Sequence, residues 1–216
     1  MTKIKICGLK RIEDIQYVNE TKPDYAGFVF AGTKRKISFE DAARLKSFLD
    51  KDIKAVGVFV NEKIDNIIKL CAENVVDFIQ LHGDEDEPYI YRLKERMDKP
   101  VIKAVKIQSS KFKVTPQVSS PKVLIGDTSS LKLQSSNADF ILFDSGAGSG
   151  ETFDWSLVKR YDKPFFLAGG LNEDNIEKAL KTLSPYCVDL SSGVETDGLK
   201  DFEKIKKIIN IVRGND

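Results

Sequence analysis

The chain has 216 residues, 41% of them hydrophobic, and its 34 Lys and Arg are interleaved with 33 Asp and Glu for a net charge of +1. That length suits one closed α/β unit spanning residues 1–216, able to bury roughly 70% of its unfolded surface without a disulfide or metal staple. The even charge balance argues against a nucleic-acid or anionic-membrane partner, and no apolar leader or run of ~18 apolar residues is present, so a soluble, cytoplasmic protein is expected.

In chain order, strand-like apolar runs fall at Lys3–Cys7, Tyr25–Phe30, Ala55–Val60, Val76–Leu81, Val101–Val105, Phe140–Asp144, Pro164–Ala168 and Cys187–Leu190. Helix-like patterns, with apolar residues three and four apart, lie between them at Arg11–Glu20, Phe39–Asp50, Glu62–Cys71, Glu85–Met97, Asn172–Leu183 and Leu199–Val212. Asn172 is read as the N-cap of the helix after the seventh strand, with Glu173 and Asp174 in its first turn. Strands separated by helices pair in parallel. Eight such units predict a (β/α)8 barrel, a TIM barrel; a doubly wound open sheet with helices on both faces is the competing architecture.

Residues 107–137 break the alternation. They hold eight serines, two prolines and an extra apolar run, Val123–Gly126, where a fifth helix is wanted, so the fifth α unit is expected to be irregular. No internal repeat stands out.

Three cysteines, Cys7, Cys71 and Cys187, lie far apart and match no metal-binding spacing, and His82 is the sole histidine. Neither a zinc site nor a disulfide framework is expected. In a barrel the reactive groups end the strands, which selects Cys7, Gln80 to His82, Asp144, Gly169 with Gly170, and Asp189 to Ser192, with Arg35 in the loop after the second strand. Free cysteine is usually inert filler, but Cys7 ends its strand beside Gly8, whereas Cys187 begins its strand and Cys71 lies in a helix. Asp144 ends the apolar run FILF and leads into SGAGSGET. It either caps that loop or acts as a general acid kept protonated by apolar surroundings. Thiol and carboxyl together suit proton transfer without metal or nucleotide. GAGSG is not a dinucleotide fingerprint, while AGGL and SSG end adjacent strands where barrels bind phosphate through backbone N–H groups. Arg35 and His82 each read equally well as site residues or as ordinary surface and strand-end groups.

With these residues assembled, the sequence resembles the phosphoribosylanthranilate isomerases of tryptophan biosynthesis. KICGL at 5–9, FVF followed by KRKIS at 34–38, VGVFVNE at 56–62, IQLHGDE at 79–85, FDSGAGSGETFDW at 143–155, LAGGLNEDN at 167–175 and VDLSSGVE at 188–195 are similar to that family's motifs, in its order. The resemblance implies an Amadori rearrangement with Cys7 as general base, as thiolate, and Asp144 as general acid. It implies Arg35, against the anthranilate portion, with His82 and Asp189 lining the substrate pocket. Gly148, Gly169, Gly170, Ser191, Ser192 and Gly193 would form the phosphate cradle. No cofactor and no metal is implied, and the protein is expected to work as a monomer or homodimer on a small phosphorylated substrate. Related phosphate-binding barrels that rely on strand-end lysines or paired aspartates are the nearest rivals, and a catalytically silent ligand-binding barrel is the rival of another class.

Overall fold

The computed structural model describes residues 1–106, 136–144, 158 and 161–214. The elements are β1 (Lys3–Cys7), α1 (Ile12–Thr21), β2 (Tyr25–Val29), α2 (Phe39–Phe48), β3 (Lys54–Phe59), α3 (Ile64–Ala72), β4 (Phe78–Leu81), α4 (Glu87–Lys94), β5 (Val101–Lys106), β6 (Phe140–Asp144), β7 (Phe165–Ala168), α5 (Ile176–Leu183), β8 (Cys187–Leu190), β9 (Glu195–Thr196), β10 (Leu199–Lys200) and α6 (Phe202–Gly214). The segment 107–135, and with it the expected irregular fifth unit, lies outside the described residues. So do Gly148 and the loop around it.

β1 to β8 form a closed parallel barrel in sequence order. Closure is made where β1 pairs with β8, in the register Lys3 to Cys187, Ile4 to Val188, Lys5 to Asp189 and Ile6 to Leu190. An open doubly wound sheet has no such pairing.

Side chains alternate across each strand, which divides the apolar residues into two bodies. The outer body lies between sheet and helices and takes Ile4, Ile6, Phe28, Ile79, Ile141 and Val188. Helices join it through their apolar stripes, as α6 does with Ile205, Ile208, Ile209 and Val212. The inner body fills the barrel with Tyr25, Val56, Ile102, Leu142, Phe166 and Cys187, packed against Phe78, Phe140 and Tyr186. Tyr25 meets Phe78 and Phe166 at ring separations of 5.2 and 5.6 Å, and Phe140 meets Phe166 and Tyr186 at 5.5 and 5.2 Å. These rings close the N-terminal end and leave the chemistry to the other.

One device recurs at that N-terminal end. Asp24 accepts from the Ile4 N–H through Oδ2 at 3.0 Å and returns its own N–H to the Ile4 carbonyl at 3.0 Å. Asp77 does the same with Ala55, at 2.8 and 2.8 Å, and Asp139 with Val101, at 2.8 and 2.9 Å. A lysine ammonium donates to each carboxylate: Lys3 at 2.6 Å, Lys46 at 2.7 Å and Lys94 at 2.6 Å. Each aspartate stands immediately before an even-numbered strand and grips the start of the odd-numbered strand before it. The sequence reading found no repeat; this is a local one, an aspartate followed by an aromatic residue.

Most boundaries shift by one to three residues, as at β4, which starts at Phe78 and not Val76, and two of the shifts have a clear chemical cause. Asn172 does not cap α5: its Oδ1 accepts from the Asp174 N–H at 2.9 Å in a turn that precedes the helix, which starts only at Ile176. Leu199 and Lys200 are not helical but pair antiparallel with Thr196 and Glu195, across a turn in which Asp197 and Gly198 have φ of 53° and 76°. Asp-Gly favours that left-handed pair, and the turn chemistry outweighed the helical spacing.

Candidate active site

β1 turns Lys5 and Cys7 to the barrel interior and Ile4 and Ile6 to the helices, because residues two apart share a face. The neighbouring strand makes room for the thiol. Cys7 is in register with Gly27 on β2, where a Cβ would stand 2.7 Å from the Cys7 Sγ and 2.9 Å from its Cα. Any side chain at 27 would displace the cysteine. Gly8, which follows at φ +87°, has the Arg35 stem laid across it; a Cβ there would come within 2.4 Å of Arg35 Cδ.

Below Cys7 lies a fully buried lysine. The Lys5 ammonium donates to Asp189 Oδ2 at 2.8 Å and to Gln80 Oε1 at 2.7 Å. Gln80 Nε2 meets His82 Nδ1 at 2.9 Å, and His82 Nε2 meets Asp144 Oδ2 at 3.1 Å. One chain of contacts thus runs Asp189, Lys5, Gln80, His82, Asp144 across the barrel mouth, from β8 through β1 and β4 to β6. Asp189 Oδ1 is buried and has no hydrogen-bond partner among the described residues. Burial works to neutralise Lys5, but the negative charge of Asp189 and the nearby Cys7 outweigh it and its pKa is raised.

A second charged group borders the thiol. Arg35 donates to Glu195 through Nε and Nη2, both at 2.7 Å, and Lys200 donates to the same carboxylate at 2.7 Å and to the Ser191 carbonyl at 3.0 Å. Burial alone would raise the Glu195 carboxyl, yet these donors outweigh it and hold it at about 2. Lys200 is buried as well, and that burial pulls its pKa below the usual lysine range against the pull of Glu195. Cys7 itself is 8% exposed. Burial pushes its thiol above the ordinary value, Lys5 and Lys200 pull it down, Asp189 pushes it up, and the net shift is upward. The net direction thus opposes the thiolate, the form in which the resemblance implies that Cys7 acts.

The last two strand ends supply a rim of backbone. Gly169 and Gly170 follow β7 with φ of 93° and 64°, a left-handed pair that only glycine adopts without strain. Ser192 and Gly193 follow β8 in a single 3-10 turn, Ser192–Val194. A Cβ at Gly193 would fall 1.9 Å from the Leu171 carbonyl oxygen, so the two loops meet backbone to backbone. Ser191 turns its hydroxyl back to donate to the Cys7 carbonyl at 3.0 Å.

The residues picked from the sequence are thus brought together. His82, Asp144 and Asp189 share one chain of contacts through Lys5 and Gln80, and Cys7 adjoins that chain at Lys5. Gly169, Gly170 and Ser191 to Gly193 lie at the adjoining strand ends, and Arg35 borders Cys7 across Gly8. Lys5, Glu195 and Lys200 were not picked. Lys5 was legible from strand alternation, since it stands two residues before Cys7, a strand-end site candidate, and so shares its face. Glu195 and Lys200 required the hairpin.

What the site can do is proton transfer between a thiol and a carboxyl group. Among the described residues no group of three or more His, Cys, Asp or Glu side chains is placed to hold a metal ion, and no helix is long and apolar enough to cross a membrane. The sequence model of the family described as N-(5'phosphoribosyl)anthranilate (PRA) isomerase matches residues 4–211. An N-(5'-phosphoribosyl)anthranilate isomerase of Endomicrobium trichonymphae is 54% identical over 99% of each chain, and one of Thermoanaerobacter sp. (strain X514) is 46% identical over 99% of each. Among solved structures, the phosphoribosyl anthranilate isomerase of Thermotoga maritima superposes with a TM-score of 0.82 at 35% identity, covering 99% of this chain and 100% of its own. Another such isomerase, in complex with reduced 1-(o-carboxyphenylamino)-1-deoxyribulose 5-phosphate, gives a TM-score of 0.78 at 34% identity over 99% and 100%. A barrel mouth built around a thiol and a carboxyl group, matched over nearly its whole length, makes this chain a member of the N-(5'-phosphoribosyl)anthranilate isomerase family.

Proposed function

We propose that the chain converts N-(5'-phosphoribosyl)anthranilate to 1-(2-carboxyphenylamino)-1-deoxy-D-ribulose 5-phosphate, the Amadori step of tryptophan biosynthesis, with Asp144 as general acid and Cys7 as general base. Asp144 gives its proton to the furanose ring oxygen, and the ring opens to a protonated Schiff base. Cys7, as thiolate, then takes the C2′ proton, and the resulting enolamine tautomerises to the ketone. No redox partner enters, since the hydrogen removed at C2′ is replaced at C1′.

The observation that carries this reading is the placement of Cys7 and Asp144 at the same end of the barrel, with Lys5, which interacts with the Cys7 thiol, linked through Gln80 and His82 to Asp144. The reacting form carries a proton on Asp144 and none on Cys7. Burial opposes the thiolate, and the cations Lys5 and Lys200 favour it. Gly169, Gly170, Ser191, Ser192 and Gly193 would hold the phosphate through backbone N–H groups, and the family resemblance adds Gly148 to that set. His82 and Asp189 would line the sugar pocket. Arg35, held flat by Glu195, would lie against the anthranilate ring. A Thermotoga maritima relative is described as dimeric, and this protein is expected to work as a monomer or homodimer in the cytoplasm.

The test is an assay that follows loss of phosphoribosylanthranilate fluorescence. Wild type should turn over, and Cys7→Ser and Asp144→Asn should each lose about 10²-fold to 10⁴-fold in kcat with an unchanged circular dichroism spectrum. Absence of turnover by folded wild type would sink the assignment.

A further inference from the structure

The contacts from Lys5 to Asp144 have a direction, and it is set at the lysine end. An ammonium only donates, so the Gln80 atom 2.7 Å from Lys5 Nζ is the amide oxygen, and the amide NH2 is the group that meets His82 Nδ1 at 2.9 Å. Turning the amide over would place NH2 against the ammonium, two donors face to face in a buried site. Nδ1 must then accept, because a proton on it would oppose the amide N–H. Of the two neutral tautomers, that excludes Nδ1–H. The proton of the neutral ring is on Nε2, which lies 3.1 Å from Asp144 Oδ2 and donates to it.

We propose that Lys5 and Gln80 are positioning residues that fix His82 as its Nε2–H tautomer, so that Asp144 Oδ2 is always an acceptor and the acid proton of Asp144 is carried on Oδ1. The inference rests on the reading of Asp144 as the general acid. The unfavourable alternative is an acid proton on Oδ2 that points into His82 and away from the substrate. Lys5 is suited to anchoring the sequence because each of its partners, the Gln80 amide oxygen, the Asp189 carboxylate and the Cys7 sulfur, accepts from its ammonium. It is fully buried, its second partner Asp189 keeps it charged, and its alignment does not depend on solvent.

His82 is the sole histidine of the chain, so ring-labelled [15N]histidine reports one site without assignment. The wild-type spectrum, recorded without substrate at neutral to mildly alkaline pH, should show a protonated Nε2 and a bare Nδ1. Lys5→Met, which frees the Gln80 amide to rotate, should mix the two tautomers. Because that variant strands Asp189 and can fail to fold, the decisive variant is Gln80→Glu. It gives Lys5 an acceptor still but offers His82 only a carboxylate, so Nδ1 should become protonated. In Gln80→Glu, kcat should fall about 10²-fold with KM within about twofold, because the phosphate and anthranilate contacts are untouched. A wild-type ring protonated on Nδ1, a Gln80→Glu ring identical to wild type, or an altered ring with kcat unchanged would each overturn the inference. The spectrum needs no turnover, so an Nε2–H ring in a protein that never isomerises the substrate would strike the functional reading instead.

Discussion

The Lys5 ammonium lies 2.8 Å from Asp189 Oδ2 with the lysine side chain wholly out of solvent and the aspartate only 8% exposed. Removing one partner of a buried pair leaves the other charge uncompensated, which typically costs about 3–5 kcal/mol. Lys5→Met should therefore lower the unfolding free energy by about that amount, read by urea denaturation. Lys5→Met with Asp189→Leu should recover most of the stability and none of the turnover. If the double variant were as unstable as the single one, the loss would lie in packing and not in charge.

Gly27 faces the thiol across the β1–β2 pair. Gly27→Ala would place a Cβ against Cys7 Sγ and Cα, and the backbone contact cannot be relieved by a rotamer change. We expect about 1–3 kcal/mol of destabilisation and a loss of kcat near 10²-fold, with the phosphate site and KM little changed. A kcat close to wild type would show that β1 shifts without moving the thiol relative to the substrate.

The Glu195 carboxyl is held at about 2 in the fold, against roughly 4.3 when unfolded. Its folded pKa is depressed, so the stability it contributes is present above pH ~4.3 and is lost as pH falls through the folded value. Wild type minus Glu195→Gln, measured as unfolding free energy from pH 6 down to 2, should shrink across that window. At neutral pH the variant should be about 3–5 kcal/mol less stable, because the buried Lys200 loses its charge partner. A difference that stays constant with pH would refute the linkage.

Asp77 takes a backbone N–H, returns one of its own and receives Lys46. Asp77→Ala should cost about 1.5–3 kcal/mol, the range for hydrogen bonds to a charged group, and leave kcat unaltered, since the clamp is at the end of the barrel away from Cys7. A large loss of kcat without loss of stability would show that the two ends of the barrel are coupled.

Much of this was legible in the sequence. Apolar runs separated by helical spacing gave the eight strands in their order, and the rule that barrels react at strand ends isolated Cys7 and Asp144. What was missed follows from charge and turn chemistry. A lysine in a strand carries no sign of burial by itself, and only closure of the barrel shows that the partner of Lys5 is Asp189. The Asp197-Gly198 turn was overridden by the apolar spacing that runs into α6. Asp24 and Asp139 look like loop residues alone and Asp77 falls inside an apolar run; their reciprocal bonds depend on which strand lies alongside.

The three aspartate clamps also divide the barrel into stapled couples: β1 with β2, β3 with β4, β5 with β6. A chain opened inside α1 or α3 leaves its two strands held by the clamp, whereas a chain opened inside α2 or α4 separates couples that no clamp joins. Circular permutants cut in α1 or α3 should thus reassemble more readily than those cut in α2 or α4, so the clamps mark where this barrel can be taken apart and rejoined.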